Sequence, residues 1–305
     1  MIYDVIIIGS GPAGLSAAIY AKRAELSVMV IEKAGLSGGQ VINTYEVDNY
    51  PGIPGIGGFE LSIKFREHAD KLGATFVNGE VSDFSLNGEI KKVTLDNGTS
   101  YEANSVIIAT GGTPRLLDVP GEKELSGMGV SYCATCDGAF FKNKKVAVIG
   151  GGDVAVEDAI FLARICEHVY VIHRRDQFRA SRHLATRLQE LPNVTIIWDS
   201  VVSKINGEDK VESLDIKNLK TEEKTSYDVA GVFIAVGYIP NSEAYKKVVA
   251  TDGGGYIIAG ENCETNIPGI YAAGDIRTKD LRQIITAAAD GANAITAVEK
   301  YLNQF

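Results

Sequence analysis

The sequence predicts an α/β protein of two similar domains, the second inserted in the first, and three observations carry that expectation. The chain has 305 residues, which at about 150 residues per domain suggests two domains. Glycine is in excess, 33 of 305, or roughly 11% against a usual value of about 7%, with no every-third-residue period that would mean collagen. The chain also repeats itself. Asp4-Val-Ile-Ile-Ile-Gly9-Ser-Gly11-Pro-Ala-Gly14 and Lys145-Val-Ala-Val-Ile-Gly150-Gly-Gly152-Asp-Val-Ala155 each run from an apolar stretch through a glycine turn into a helix-like stretch.

The repeat keeps its register. Gly9 and Gly150 stand 141 positions apart, and so do Glu32 and His173, which end the next strands, Val28–Glu32 and Val169–His173. A third echo, Val106–Gly111 against Val232–Gly237, is offset by 126, so the second copy is shorter in its middle. Apolar strands of four or five residues alternating with helices imply parallel sheets covered on both faces, a three-layer Rossmann-like arrangement. Each glycine turn follows a strand and opens a helix, the context that a dinucleotide-binding fingerprint requires.

In each turn the first glycine allows the tight bend and the second lets backbone approach a pyrophosphate. The following helix presents its positive end to the phosphates. The third position, Gly14 or Ala155, is small enough for close helix–strand packing. The strand ends differ. Glu32 can accept hydrogen bonds from ribose hydroxyls and repels a 2′-phosphate. The second unit carries His173-Arg174-Arg175, with Arg179 one turn later. Arginine forks match phosphate oxygens, so the second site is expected to prefer NADPH. The alternative for the arginines is a solvated basic helix start.

Gly269-Ile-Tyr-Ala-Ala-Gly274-Asp275 follows the second unit. It reads as a further strand, turn and acid, with Asp275 able to bind a flavin ribityl hydroxyl, or as a plain strand-end turn. If it joins the first site, the domains are residues 1–114 with 243–305 and residues 115–242, with crossings near Thr113–Leu117 and Pro240–Ser242.

Cys133-Ala-Thr-Cys136 can form a redox-active disulfide. The alternatives are half a zinc site or two unrelated thiols. Zinc needs two more ligands. Cys166 and Cys263 are isolated, and His68, His168, His173 and His183 show no ligand pairing, so no metal is expected. Asp137 could supply a proton to a departing thiolate or simply form a turn before Gly138. A dithiol, a nicotinamide and a flavin together imply hydride transfer to flavin, then electrons to the disulfide, then exchange with an outside disulfide.

Net charge is −9, which disfavours nucleic acid as partner. Val5–Ala21 is uncharged for 17 residues, but it contains Gly9, Gly11, Pro12 and Gly14, follows an acidic flank, and is shorter than the roughly 20 residues of a membrane helix. A soluble, cytoplasmic protein without membrane partners is expected.

The chain resembles the low-molecular-weight thioredoxin reductases of bacteria essentially from end to end. The resemblance rests on both glycine turns, Gly38-Gly39-Gln40, Val47-Asp-Asn49-Tyr-Pro-Gly52, Cys133-Ala-Thr-Cys136-Asp137, His173-Arg174-Arg175 with Arg179, Gly274-Asp275 and Arg282-Gln283. It implies a homodimer that reduces thioredoxin, with domain rotation between steps. Cys136 would face the flavin, Cys133 would attack thioredoxin, and Asp137 would be the acid. FAD would contact Gly9, Gly11, Pro12, Ala13, Gly14, Glu32, Gly38, Gly39, Gln40, Asn49, Thr110, Gly111, Gly274, Asp275, Arg282, Gln283 and Ile284. NADPH would contact Gly150, Gly152, Asp153, Val154, Ala155, His173, Arg174, Arg175 and Arg179. Val154 departs from the Ser or Thr common there, removing one hydroxyl near the pyrophosphate. Relatives fed by ferredoxin typically lose the second glycine turn and the arginines, and both are present here. The competing readings are a flavin disulfide reductase with ferredoxin as donor or another thioredoxin-like acceptor, and a flavin-bound redox sensor without turnover.

Overall fold

The computed structural model describes residues 1–44 and 46–304, so Phe305, the last residue of the expected first domain, lies outside the described residues. Val5–Ile8 has no polar residue to line a solvent face, and all four side chains are buried in strand β1, Ile2–Ile8. Helix α1 spans Pro12–Arg23, with Pro at its start and Lys22 and Arg23 in its last turn. Both placements suit a helix: proline lacks the N–H that would be unpaired there, and the basic residues face the negative end of the dipole. Then follow β2 (Val28–Glu32), α2 (Gly58–Lys71), β3 (Thr75–Asn78), β4 (Val81–Asn87), β5 (Ile90–Leu95), β6 (Ser100–Ile108) and the short β7 (Gly112–Pro114). Strands β3-β2-β1-β6 are parallel neighbours, whereas β5 and β4 continue antiparallel from β6.

The middle of the chain forms β8 (Val130–Ser131), α3 (Ala134–Asp137), β9 (Lys145–Ile149), α4 (Asp153–Ala163), β10 (His168–Ile172), α5 (Arg182–Gln189) and β11 (Val194–Ile197). An antiparallel meander follows as β12 (Ser200–Asn206), β13 (Ser213–Asn218) and β14 (Lys224–Asp228), and β15 (Gly231–Ile234) closes the set. The order β11-β10-β9-β15-β8 is parallel throughout. After β16 (Tyr238–Pro240) come β17 (Ile270–Ala272) and α6 (Ile284–Leu302). Strand β17 pairs with the end of β6, Ile270 opposite Val106 and Ala272 opposite Ile108.

Packing divides the chain into one unit of residues 1–113 with 239–305 and another of residues 114–238. The return crossing therefore falls before Ile239 rather than after Ser242. Asn241 explains this: its N–H donates to Gly111 O at 3.0 Å, its side-chain amide donates to Thr110 O at 2.9 Å, and its carbonyl accepts from the Thr110 hydroxyl at 2.9 Å.

The alternation of strand side chains sorts each core into two faces. In the first unit Val5 and Ile7 join the α1 and α6 side, and Ile6 and Ile8 join Phe84, Val93 and Leu95 of the antiparallel strands. In the second, Val146 and Val148 face α4, whereas Ala147 and Ile149 join Val202, Ile205, Leu214 and Ile216 of the meander. Each parallel sheet thus has helices on one face and antiparallel strands contributing to the cover of the other. Among the described residues no helix is long and apolar enough to cross a membrane.

Candidate active site

Cys133 and Cys136 are joined as a disulfide, with Cα atoms 5.3 Å apart. Cys133 precedes α3, and its sulfur accepts the Cys136 N–H at 3.2 Å. Such a donor favours a thiolate at Cys133 once the bond opens. Asp137 ends the same turn. Burial raises its carboxyl above the ordinary carboxylate range, and a hydrogen bond from the Ser131 hydroxyl opposes that rise. A carboxyl lifted in this way suits proton donation. Cys166 and Cys263 are buried elsewhere, their thiols pushed up by burial to about 11 and about 12. Neither is reactive by that measure.

In the first glycine turn, Gly9 has φ +102 and Gly14 lies against it: a Cβ on Gly14 would stand 1.9 Å from Gly9 O. Close chain packing dictates both glycines. Gly11 is different, because a Cβ there would meet no protein atom within 4 Å. The protein's own packing does not account for that glycine, while a phosphate seated at the start of α1 would. Gly38, at φ +131, donates its N–H to Ser10 O at 2.8 Å, and Gly39 approaches Gly11. The Gly38-Gly39 loop therefore lies against the turn. Glu32 accepts from the N–H and hydroxyl of Ser10 at 2.7 and 2.6 Å through one oxygen, and from Ala34 N–H at 2.8 Å through the other. The second oxygen keeps a lone pair for a ribose hydroxyl.

The remaining residues expected at this site lie on the same unit. Pro12 and Ala13 open α1, Ile284 opens α6, and Gln283 caps α6 while accepting from the Asn49 amide at 2.9 Å. The Gln40 amide hydrogen-bonds the Gly112 carbonyl. Gly111 has φ +60 and open space where a Cβ would stand. Gly274, at φ +80, abuts Ala13. Beside it sits a buried ion cluster that sequence reasoning missed. Asp290 accepts from Arg277 at 2.7 and 2.8 Å, from Lys279 at 2.8 Å and from Gly274 N–H at 2.8 Å. Burial alone would raise the Asp290 carboxyl, but these donors hold it below its ordinary range. The residues lie 11 and 13 positions apart with no recurring spacing, and no sequence signal could have found the cluster.

The second turn repeats the first with one exchange. Gly150 has φ +152, and a Cβ on it would stand 2.7 Å from the Ala155 methyl; Gly152, which precedes α4, has open space around it like Gly11. Val154 is exposed. The arginine segment is not the basic helix start that was its alternative. Residues 174–177, 179 and 180 form bends, and α5 begins only at Arg182. The reason is local: Arg179 N–H donates to Gly151 O at 2.7 Å, and Ser181 N–H donates to the Asp153 carboxylate at 2.7 Å. Both bonds fold the loop back onto the turn. Arg174, Arg175 and Arg179 are exposed there. His173 is not a surface contact. Its ring is buried beneath Gly151, against Phe178 and Trp198. Burial lowers its basicity, a hydrogen bond with the Gln177 backbone opposes this, and the three nearby arginines lower it further, so the imidazole is neutral near pH 7.

Among the described residues three buried side-chain polar atoms have no partner: His173 Nε2, Asp275 Oδ1 and Arg282 Nε. All three belong to residues the sequence marked for nucleotides. Unsatisfied buried polar atoms cost about 1–3 kcal/mol each, so the pair on the first unit, Asp275 Oδ1 and Arg282 Nε, fits a polar ligand rather than a packing accident. Burial also raises the Asp275 carboxyl, a rise that the charges of Lys279 and Arg282 oppose. The Arg282 guanidinium lies over the Tyr256 ring at 4.2 Å.

A family model for pyridine nucleotide-disulphide oxidoreductases matches residues 3–291, and the chain belongs to that family. It is an oxidoreductase, and membership implies a flavin and a pyridine nucleotide as cofactor classes. The chain is 46% identical over 308 residues to a thioredoxin reductase of Peptoclostridium acidaminophilum, covering 99% of this chain and 97% of that one. It is 45% identical to the thioredoxin reductase of Bacillus subtilis, covering 99% and 96%. The crystal structure of a thioredoxin reductase from Streptococcus pyogenes, 48% identical, superposes with a TM-score of 0.95 over 100% of this chain and 99% of the other.

Proposed function

We propose that the chain is an NADPH-dependent thioredoxin reductase, a cytoplasmic homodimer holding FAD in the unit of residues 1–113 and 239–305 and NADPH in the unit that carries the dithiol. The single observation that carries this reading is the disulfide of Cys133 and Cys136, followed at once by a carboxyl that burial lifts toward its protonated form. The two glycine turns and the unpartnered Asp275 Oδ1 and Arg282 Nε support the cofactor assignment. Glu32 favours a nucleotide without a 2′-phosphate, and the exposed Arg174, Arg175 and Arg179 favour one that has it.

The bound cofactors supply hydride and electron-pair transfer. The chain's residues do the rest. As an electron pair enters the disulfide, the S–S bond breaks and Asp137 gives one proton, leaving one thiol and one thiolate. The Cys136 N–H favours the charge on Cys133, the sulfur proposed to attack the disulfide of thioredoxin. That attack forms a mixed disulfide, and Cys136 then displaces the reduced partner.

An anaerobic spectrum of the purified protein tests the reading. NADPH is expected to bleach the flavin band, and oxidised thioredoxin to restore it. Cys136→Ser should abolish thioredoxin reduction while flavin bleaching by NADPH persists. No bleaching by NADPH would assign another donor, and surviving disulfide reduction in Cys136→Ser would overturn the electron path.

A further inference from the structure

Ser131 stands at the centre of the dithiol loop. It lies on β8, held by pairing with β15, Phe233 opposite Ser131, and is 5% exposed. Its hydroxyl oxygen accepts the Cys133 N–H at 3.0 Å, and lies 2.5 Å from Asp137 Oδ2 and 3.3 Å from the Cys133 carbonyl oxygen. A hydroxyl has one hydrogen and two lone pairs. With the Cys133 N–H on one lone pair, the hydrogen has two acceptors within reach and the second lone pair can still accept. When Asp137 is ionised, the hydrogen points to Oδ2. When Asp137 is protonated, its own O–H donates across the same 2.5 Å contact. The Ser131 hydrogen then turns to the Cys133 carbonyl. Both states of the carboxyl are hydrogen-bonded with no heavy atom moved.

We infer that Ser131 is a positioning residue that lets Asp137 hold and release a proton in place beside Cys133. The inference rests on the reading of Asp137 as the acid. Reduction of the disulfide takes an electron pair from the reduced flavin, breaks the S–S bond and consumes one proton from Asp137. The products are one thiol, one thiolate and an ionised Asp137, whose new charge the Ser131 hydrogen meets. Ser131 also orients the loop through the Cys133 N–H, so sulfur and acid share one anchor.

The pH behaviour has other contributors nearby. Helix α4, packed against α3, carries Asp153, Glu157 and Asp158, and burial with the Glu157 charge pushes Asp158 up to about 7. Tyr132 donates to Glu122 on the preceding side at 3.0 Å, and Lys144 donates to Phe140 O on the following side at 3.1 Å. A clean measurement of Asp137 therefore needs Asp158 removed.

The test is the infrared carboxyl band of the flavin-loaded protein followed against pH in an Asp158→Asn background, with Asp137→Asn assigning the band. Ser131→Ala should move the Asp137 titration to higher pH by about one unit, because the bond to the ionised carboxyl is charge-assisted and stronger than the one its neutral form makes. The pH limb of thioredoxin reduction should move with it, and Ser131→Thr should restore both. An unchanged Asp137 titration in Ser131→Ala overturns the inference whatever happens to turnover. If Asp137→Asn instead leaves disulfide reduction and its pH profile intact, the acid reading beneath it fails, and the infrared titration distinguishes the two failures.

Discussion

The two glycine turns share a backbone plan and differ in what the next strand delivers to them. Glu32 arrives as a half-buried carboxylate hydrogen-bonded to Ser10, while His173 arrives as a neutral ring buried under Gly151, with the arginines carried past it on a returning loop. The same register position therefore works in two ways. In the first unit the strand-end residue itself is the one proposed to meet the nucleotide. In the second it supports the turn from below, and exposed residues one to six positions later carry the charge. A strand end can thus present a different charge without altering the turn.

Several substitutions test this difference. The largest effect is expected at the third position of the turn. Gly14→Ala places a methyl 1.9 Å from Gly9 O, and should cost about 3 kcal/mol or more in denaturant unfolding. The mirror change, Ala155→Gly, meets no clash and should cost about 1 kcal/mol. Equal costs would show that the first turn accommodates the methyl and that packing does not dictate Gly14. Next comes the charge on the loop. Arg174→Ala with Arg175→Ala should lower the NADPH-over-NADH ratio of kcat/KM by about 100-fold, with the loss in KM, as expected for lost charge-assisted hydrogen bonds. An unchanged ratio would remove the proposed reading of that strand end.

The smallest effect concerns Asp158, which stands in α4 where the buried Ala17 stands in α1. Its carboxyl is raised to about 7 by burial, then by Glu157. A raised carboxyl favours the fold while protonated, so stability is lost as pH climbs from the unfolded value near 4 to about 7. Asp158→Asn should therefore stabilise by about 1 kcal/mol at pH 8, and by nothing measurable at pH 4. A gain that is the same at both pH values would mean that packing, not ionisation, explains it.

Much of the fold was legible because its signals are local. Four consecutive aliphatic residues in Val5–Ile8, ended by a glycine turn, fit a strand covered on both faces, and the glycines mark where the chain must turn. The dithiol was legible because three positions of spacing bring two sulfurs together without help from the rest of the chain. Antiparallel strands rather than helices contributing to the second cover were not legible, since alternation records that a face is buried and not what buries it. Ser131 was illegible for a related reason: one serine in a two-residue strand carries no pattern until Asp137 returns to it.

The repeat, the glycine turns, the Cys133–Cys136 pair and the contrast between Glu32 and the arginines could all be read along the chain. All of these depend on residue type and short spacing. Folding alone places His173 beneath Gly151, gathers Arg277, Lys279 and the Gly274 N–H around Asp290, and sets the Ser131 hydroxyl between Cys133 and Asp137. Burial and hydrogen-bond partners come from segments meeting in space. They set whether a carboxyl or an imidazole carries charge, because desolvation and a single well-placed donor act on that equilibrium with comparable strength.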